Sequence, residues 1–111
     1  MLKSDLVRLH HILDAAREAV AFSQGRSRND LNTDRMLNLS LVRLLEIIGE
    51  AARETSTAFR EAYPEIAWKK MVGMRDRLTH GYYDVNLDVV WETVTEDLPP
   101  LIVQMEKIVT P

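Results

Sequence analysis

Each long stretch of this chain repeats its apolar residues at alternating intervals of three and four. That habit restricts it to packed helices. Leu2, Leu6, Leu9, Leu13, Ala16 and Val20 make one stripe, and Leu37, Leu41, Leu44, Ile48 and Ala51 a second. Ala67, Met71, Met74 and Leu78 make a third, and Leu87, Trp91, Val94, Leu98, Leu101, Met105 and Ile108 a fourth. Residues so spaced share one face of a helix and need a partner surface. There is no period-two strand pattern and no internal repeat. The expected fold is all-α: an antiparallel bundle of four to five helices, one domain over residues 1–111.

Local signals place the ends. The first helix is expected from Asp5 to Phe22 with Ser4 as N-cap, followed by a surface loop, "SQGRSRNDLNTD". The second is expected from Asp34 to Thr55, with capping oxygens on Asn32, Thr33 and Asp34. Met36, Leu39, Val42, Leu45, Ile47 and Ala52 carry its apolar surface beyond one stripe. Only Arg43, Glu46, Glu50 and Arg53 form a polar strip. Such a helix belongs at the centre of the bundle or at a subunit interface. A short helix over Thr57–Ala62 precedes Pro64. A fourth starts near Ala67 and ends at His80-Gly81. A fifth is capped by Asn86, and its register persists through Pro99-Pro100 as a kink or an in-line restart.

Composition narrows the function classes. With 46% apolar residues the chain can bury a modest core. It has no cysteine, which excludes disulfides, thiolate metal sites and thiol catalysis and suits a reducing, cytoplasmic setting. No apolar run of signal-peptide or membrane-span length is expected. The net charge of −3 argues against a general nucleic-acid binder. The charge is nonetheless polarised. Lys69, Lys70, Arg75 and Arg77 face only Asp76 between Trp68 and His80, a basic end that reads either as a solvated helix face or as an anion-binding cluster. Asp88, Glu92, Glu96, Asp97 and Glu106 dominate the C-terminal part.

The densest chemistry lies in "MRDRLTHGYY". One reading is a helix end: Gly81 as the C-terminal cap, with His80 and the arginines opposite the exposed carbonyls. The other is a phosphate site. Arg75 falls at the edge of the apolar stripe, Arg77 on the outer face, and Asp76 can orient a neighbouring cation. Five residues place Arg75 and His80 about 140° apart on an ideal helix. The two converge on one ligand if the helix ends between them, or if a second copy completes the site.

The stretch "RDRLTHGYYDVNLDVVWETVTEDLPPL", with "LLEIIGEAARE" and "YPEIAWKKMVGM" before it, resembles the HepT-like branch of the HEPN domains. The likeness spans roughly residues 34 to 108. The family motif is Arg, a polar residue, a short spacer, His, any residue, Tyr. Here it reads Arg75, Asp76, His80 and Tyr82, with Asp where Asn is frequent. The resemblance implies a metal-independent endoribonuclease toxin of a type VII toxin–antitoxin system. It implies a homodimer with the two motifs facing across a cleft, RNA as substrate, and no cofactor. It also implies a partner, an MntA-type minimal nucleotidyltransferase antitoxin that transfers AMP from ATP to the motif tyrosine, Tyr82. Tyr83 is adjacent, so that assignment rests on motif spacing.

The residue types suit the reaction. RNA supplies its own 2′-OH nucleophile. Histidine titrates near neutrality and can move protons. Arginine stays charged and presents a fork of donors to phosphate oxygens. Elsewhere, His10, His11 and Asp14 lack the i,i+4 histidine pair of a helical metal site, and His10 is expected to flank the core stripe. Glu46, Glu50 and Glu54 lack the histidines of a di-iron bundle, so no metal is expected. Glu50 is available to orient Arg75 or His80 from the facing helix, or to pair with Arg53 or Arg43. The competing function is a non-catalytic helical binding partner that positions a nucleotidyltransferase's substrate.

Overall fold

A computed structural model of the chain describes residues 2–78 and 84–109. The centre is a helix pair, α1 (Lys3–Ser23) and α3 (Arg35–Glu54). They run antiparallel: Asp5 and Arg8 near the start of α1 reach Ser56 and Glu54 at the end of α3. Their stripes meet in a core of Leu9, Ile12, Leu13, Ala16 and Ala19 against Leu41, Leu45, Ile48 and Ala52. Helix α1 begins at Lys3, because the Leu2 carbonyl accepts from the amides of Asp5 and Leu6. Leu2, not Ser4, is therefore the N-cap, and no side chain caps it.

The connection after α1 is more ordered than the polar stretch suggested. It holds a one-turn helix, α2 (Asp30–Thr33), pinned by the buried Leu31. Gly25 turns the chain at φ +72°. Arg26 bridges Asp30 at 3.3 Å and Asp34 at 2.7 Å, and Asp34 caps α3 by accepting from the Leu37 amide.

Helix α3 is central. Leu37, Leu41, Leu44, Ile48 and Ala51 are buried as expected, and so are Leu45 and Ala52 on its other side. Within α3 this leaves Met36 and Leu39 as the exposed large apolar side chains. Most of the surplus apolar surface is absorbed by α1 and by the helices packed on the opposite side.

Helix α4 (Thr57–Ala62) is capped by Ser56, and Phe59, Tyr63 and Trp68 cluster behind it. The expected fourth helix is two: α5 (Trp68–Val72) and α6 (Met74–Leu78), both packed on α3. The break is at Gly73, whose amide donates to Lys69 and whose carbonyl accepts from Arg77. Met71, Met74 and Leu78 are buried, but Ala67 is exposed. The expected end at His80-Gly81 lies outside the described residues.

Beyond, the Asn86 amide donates to the Leu78 carbonyl at 2.6 Å, and the Asn86 side chain caps α7 (Leu87–Glu92). A π-helical turn, Thr93–Asp97, leads into α8 (Leu98–Val109). Pro99 and Pro100 supply no N–H, so the carbonyls of Thr95 and Glu96 lose their usual partners. The wider turn, in which the Leu98 amide reaches Thr93 five residues back, places both prolines in the first turn of α8. The apolar register survives this way, with Val94, Leu98, Leu101 and Met105 buried. Among the described residues no helix is long and apolar enough to cross a membrane.

Candidate active site

Helices α1, α3, α5 and α6 enclose a cleft of about 500 Å³. Its floor is the polar strip of α3: Arg43, Glu46, Glu50 and Arg53 recur at intervals of three, four and three and so share one face. Arg8 and His11, three apart on α1, form one wall. Val72 and Arg75 form the other, from α5 and α6.

Gly49 sets the distance between floor and wall. A Cβ built there would stand 3.1 Å from the Met71 carbonyl oxygen and 3.2 Å from the Met74 Cβ. Without one, the α5–α6 backbone settles directly on α3. Arg75, next to Met74, is thereby held over the Gly49–Glu50 level of the floor.

The electrostatics of the cleft are open. Arg8 donates to Glu54 at 3.2 Å and to the Ser4 carbonyl at 3.1 Å. Arg75 is exposed but not without a partner. Arg43, Arg53, Glu46 and Glu50 form no ion pair with any described residue. Glu50 thus shares the cleft with Arg75, Arg43 and Arg53. A few residues away the arrangement reverses. Asp5 is buried and accepts from the Ser56 amide at 2.8 Å and the Ser56 hydroxyl at 2.7 Å. The Ser56 amide first, then its hydroxyl and nearby Arg8, hold that carboxyl below the usual range against the cost of burial.

Of the residues singled out from the sequence, the structure brings Arg75 and Glu50 into one cleft. His80 and Tyr82, with Tyr83, lie outside the described residues. Asp76 is exposed beside Arg75 but does not line the cleft, and Lys69 is exposed on α5. Lys70 is turned away. It pairs with Asp97 at 2.9 Å at the edge of a separate, mainly apolar cavity of about 240 Å³ between α5 and α8. Arg77 is not on the outer face as expected. It is half-buried, and its Nη1 is enclosed with no hydrogen-bond partner among the described residues. Arg77 follows Met74 by three residues and precedes Leu78, so it borders the buried face of α6. His10 is exposed rather than beside the core, whereas His11 faces the cleft. Among the described residues no three His, Asp or Glu side chains converge on a metal position.

Sequence reasoning missed Arg8 and His11 as site residues. Their i,i+3 spacing was legible. What brings them to the floor is the antiparallel docking of α1 on α3, fixed by Asp5 and Ser56 across 51 positions of chain.

Comparison with known proteins gives the family. The model of the family "Ribonuclease HepT-like" matches residues 12–108. A Caldanaerobacter subterraneus protein named "Putative RNase" is 37% identical over 107 residues, 96% of each chain. A Thermococcus cleftensis "Probable ribonuclease HepT" is 36% identical, over 97% of this chain and 98% of its own. A Methanocaldococcus jannaschii "Putative RNase" is also 36% identical, over 88% and 90%. No solved structure gives a significant match. The chain belongs to the ribonuclease HepT-like family.

Proposed function

We propose that this chain is a metal-independent endoribonuclease toxin that acts as a homodimer on RNA. The observation that carries the reading is Arg75, held by the Gly49 contact at the wall of a guanidinium-lined cleft, with His80 five residues on. The 2′-OH of the substrate attacks the adjacent phosphorus, and the bond to the 5′-oxygen breaks. His80 of one subunit takes the 2′-OH proton, and its counterpart in the second copy protonates the leaving oxygen. Arg75 faces the charge that builds on the phosphorane oxygens. The products are a 2′,3′-cyclic phosphate and a 5′-hydroxyl. Silencing follows from attack of the Tyr82 phenol oxygen on the α-phosphorus of ATP, catalysed by an MntA-type nucleotidyltransferase, with loss of the phenol proton and release of pyrophosphate. A bulky anion there would compete with RNA for Arg75.

The test is purified protein with RNA in EDTA. Cleavage leaving cyclic phosphate ends, abolished in His80→Ala with helical circular dichroism intact, is expected. Tyr82→Phe keeps cleavage but escapes neutralisation by the nucleotidyltransferase and ATP, while Tyr83→Phe remains neutralisable. The second reading, a non-catalytic partner that positions a nucleotidyltransferase's substrate, draws on the three glutamates in the cleft, which oppose avid RNA binding. RNA left intact, together with a stable complex with the nucleotidyltransferase, would favour it.

A further inference from the structure

The cleft floor carries a charge pattern beyond the Arg75 and His80 that the proposed reaction names. Along α3 the polar face reads Arg43, Glu46, Glu50, Arg53: two cations outside, two anions inside. At 1.5 Å per residue the arginines stand about 15 Å apart along the axis. Arg75 arrives at the Gly49 level, about 9 Å past Arg43 and about 6 Å short of Arg53. The proposed catalytic arginine is therefore bracketed by two exposed guanidiniums that no described residue engages. Arg43, Glu46, Glu50 and Arg53 make a poor site for a lone anion, because Glu46 and Glu50 would repel it; with Arg75 at the Gly49 level between the two glutamates, the five side chains alternate in charge along the cleft. They suit a ligand that alternates anions with hydroxyl donors.

We infer that single-stranded RNA lies along α3, with Arg43 and Arg53 binding the phosphates that flank the scissile one and Glu46 and Glu50 accepting from the two ribose 2′-hydroxyls between them, one of which is the attacking hydroxyl held there before its proton passes to His80. The inference rests on the ribonuclease reading and adds to it a strand direction along α3 and a preference for RNA over DNA. Arginine forks match phosphate oxygens. The 2′-OH is the donor that DNA lacks, so the carboxylates penalise a deoxy strand, which offers them charge repulsion and no hydrogen bond. His11 stands on the facing wall, where it can meet a base or phosphate of the same strand.

The experiment measures binding rather than turnover, in a His80→Ala background that leaves RNA uncut. Affinities for one short sequence, made as RNA and as DNA, are taken over a range of salt. Arg43→Gln and Arg53→Gln should each lower the salt slope by about 0.7, the contribution of one phosphate contact on a single strand. Lys107→Gln, an exposed cation on α8 outside the cleft, should leave it unchanged. Glu46→Ala should raise DNA affinity without an equal gain for RNA, narrowing the preference. Unchanged slopes in both arginine variants, or equal gains for RNA and DNA in Glu46→Ala, overturn the track while cleavage by the parent protein keeps the ribonuclease reading. Absence of any RNA binding or cleavage by the parent removes both.

Discussion

Two charged regions sit within a few residues of each other at the α1–α3 junction, and they are built in opposite ways. At the Asp5 anchor the carboxylate is buried, both oxygens are bonded, and the partner, Ser56, in turn caps α4. In the cleft, Arg43, Glu46, Glu50 and Arg53 are left unpaired by every described residue. Burial makes an unsatisfied charge expensive, so the anchor is fully satisfied. Exposure makes it cheap, so the cleft can hold charge in reserve for a ligand. The contrast separates groups that hold the fold from groups available for function. Each variant below therefore has an expected signature in stability, in activity, or in both.

The largest effect is expected at Arg75. In the proposed reaction Arg75→Ala would remove a placed donor from the developing phosphorane charge, and such losses run to roughly 10²–10³ in kcat. The residue is exposed, so the melting temperature should stay within a degree or two. Cleavage rates paired with thermal melts check this. An equal fall from Arg77→Ala with no loss of stability would mean that general basic charge, not a placed arginine, is at work. Arg77 is half-buried, so its removal should show in the melt.

Asp5→Ala should show the reverse signature. It leaves the Ser56 amide and hydroxyl without their acceptor and frees the end of α1 from α4. The expected cost is about 2–3 kcal/mol, a fall of roughly 10–20 °C in Tm for a chain of this size. The pH dependence has a definite sign. The folded carboxyl is held below its unfolded value near 3.9. Its contribution is thus complete above that value and is lost as pH falls through the lower, folded value. The gap between wild type and variant should therefore close on acidification below about pH 4 and stay constant between pH 5 and 8. A gap that persists at low pH would assign the stabilisation to packing rather than to the charge.

Gly49 belongs to both regions' logic, and Gly49→Ala should move both readouts by smaller amounts. The added methyl meets backbone at Met71, which cannot swing aside. Overpacking of this kind costs about 1–3 kcal/mol, offset by up to about 1 kcal/mol from better helix propensity. The wall carrying Arg75 is what shifts, so kcat should fall further than the modest loss of stability accounts for. Normal activity with a lowered Tm would show that α6 can move without displacing its arginine.

The sequence showed the helices through their stripes, and it showed the polar strip of α3 because period and polarity coincide there. Asn86, Asp34 and the Thr57–Ala62 helix were legible as caps and breaks. What stayed hidden depended on distant partners. The stripe Met71, Met74, Leu78 runs unbroken through Gly73, so nothing periodic marked the break there, and the enclosure of Arg77 beside that stripe depends on what packs against α6. The reach of Lys70 to Asp97 and the arrival of Arg8 and His11 at the cleft each join elements far apart in the chain. Of the cleft's lining, Arg75 was singled out through the motif and Glu50 through the strip. The arginines bracketing Arg75 were visible only as surface charge until α6 was placed against Gly49.

Arg8 is the residue that the comparison divides least cleanly, and it gives the smallest expected effect. It lines the cleft, pairs with Glu54, and lends positive charge to Asp5. Its side chain is 29% exposed and that of Glu54 51%, so the pair is partly solvated. A pair of this kind contributes about 0.2–1 kcal/mol and is screened by salt. Arg8→Met should then lower Tm by a few degrees at most at low ionic strength, with the difference shrinking toward zero near 1 M NaCl. Because its charge is already answered by Glu54, the salt slope of RNA binding should hardly change, in contrast to Arg53→Gln on the same cleft. A slope lowered by Arg8→Met as much as by Arg53→Gln would mean that RNA displaces Glu54. The division between satisfied and reserve charge would then have to be drawn at burial alone, with Asp5 on one side and every guanidinium of the cleft on the other.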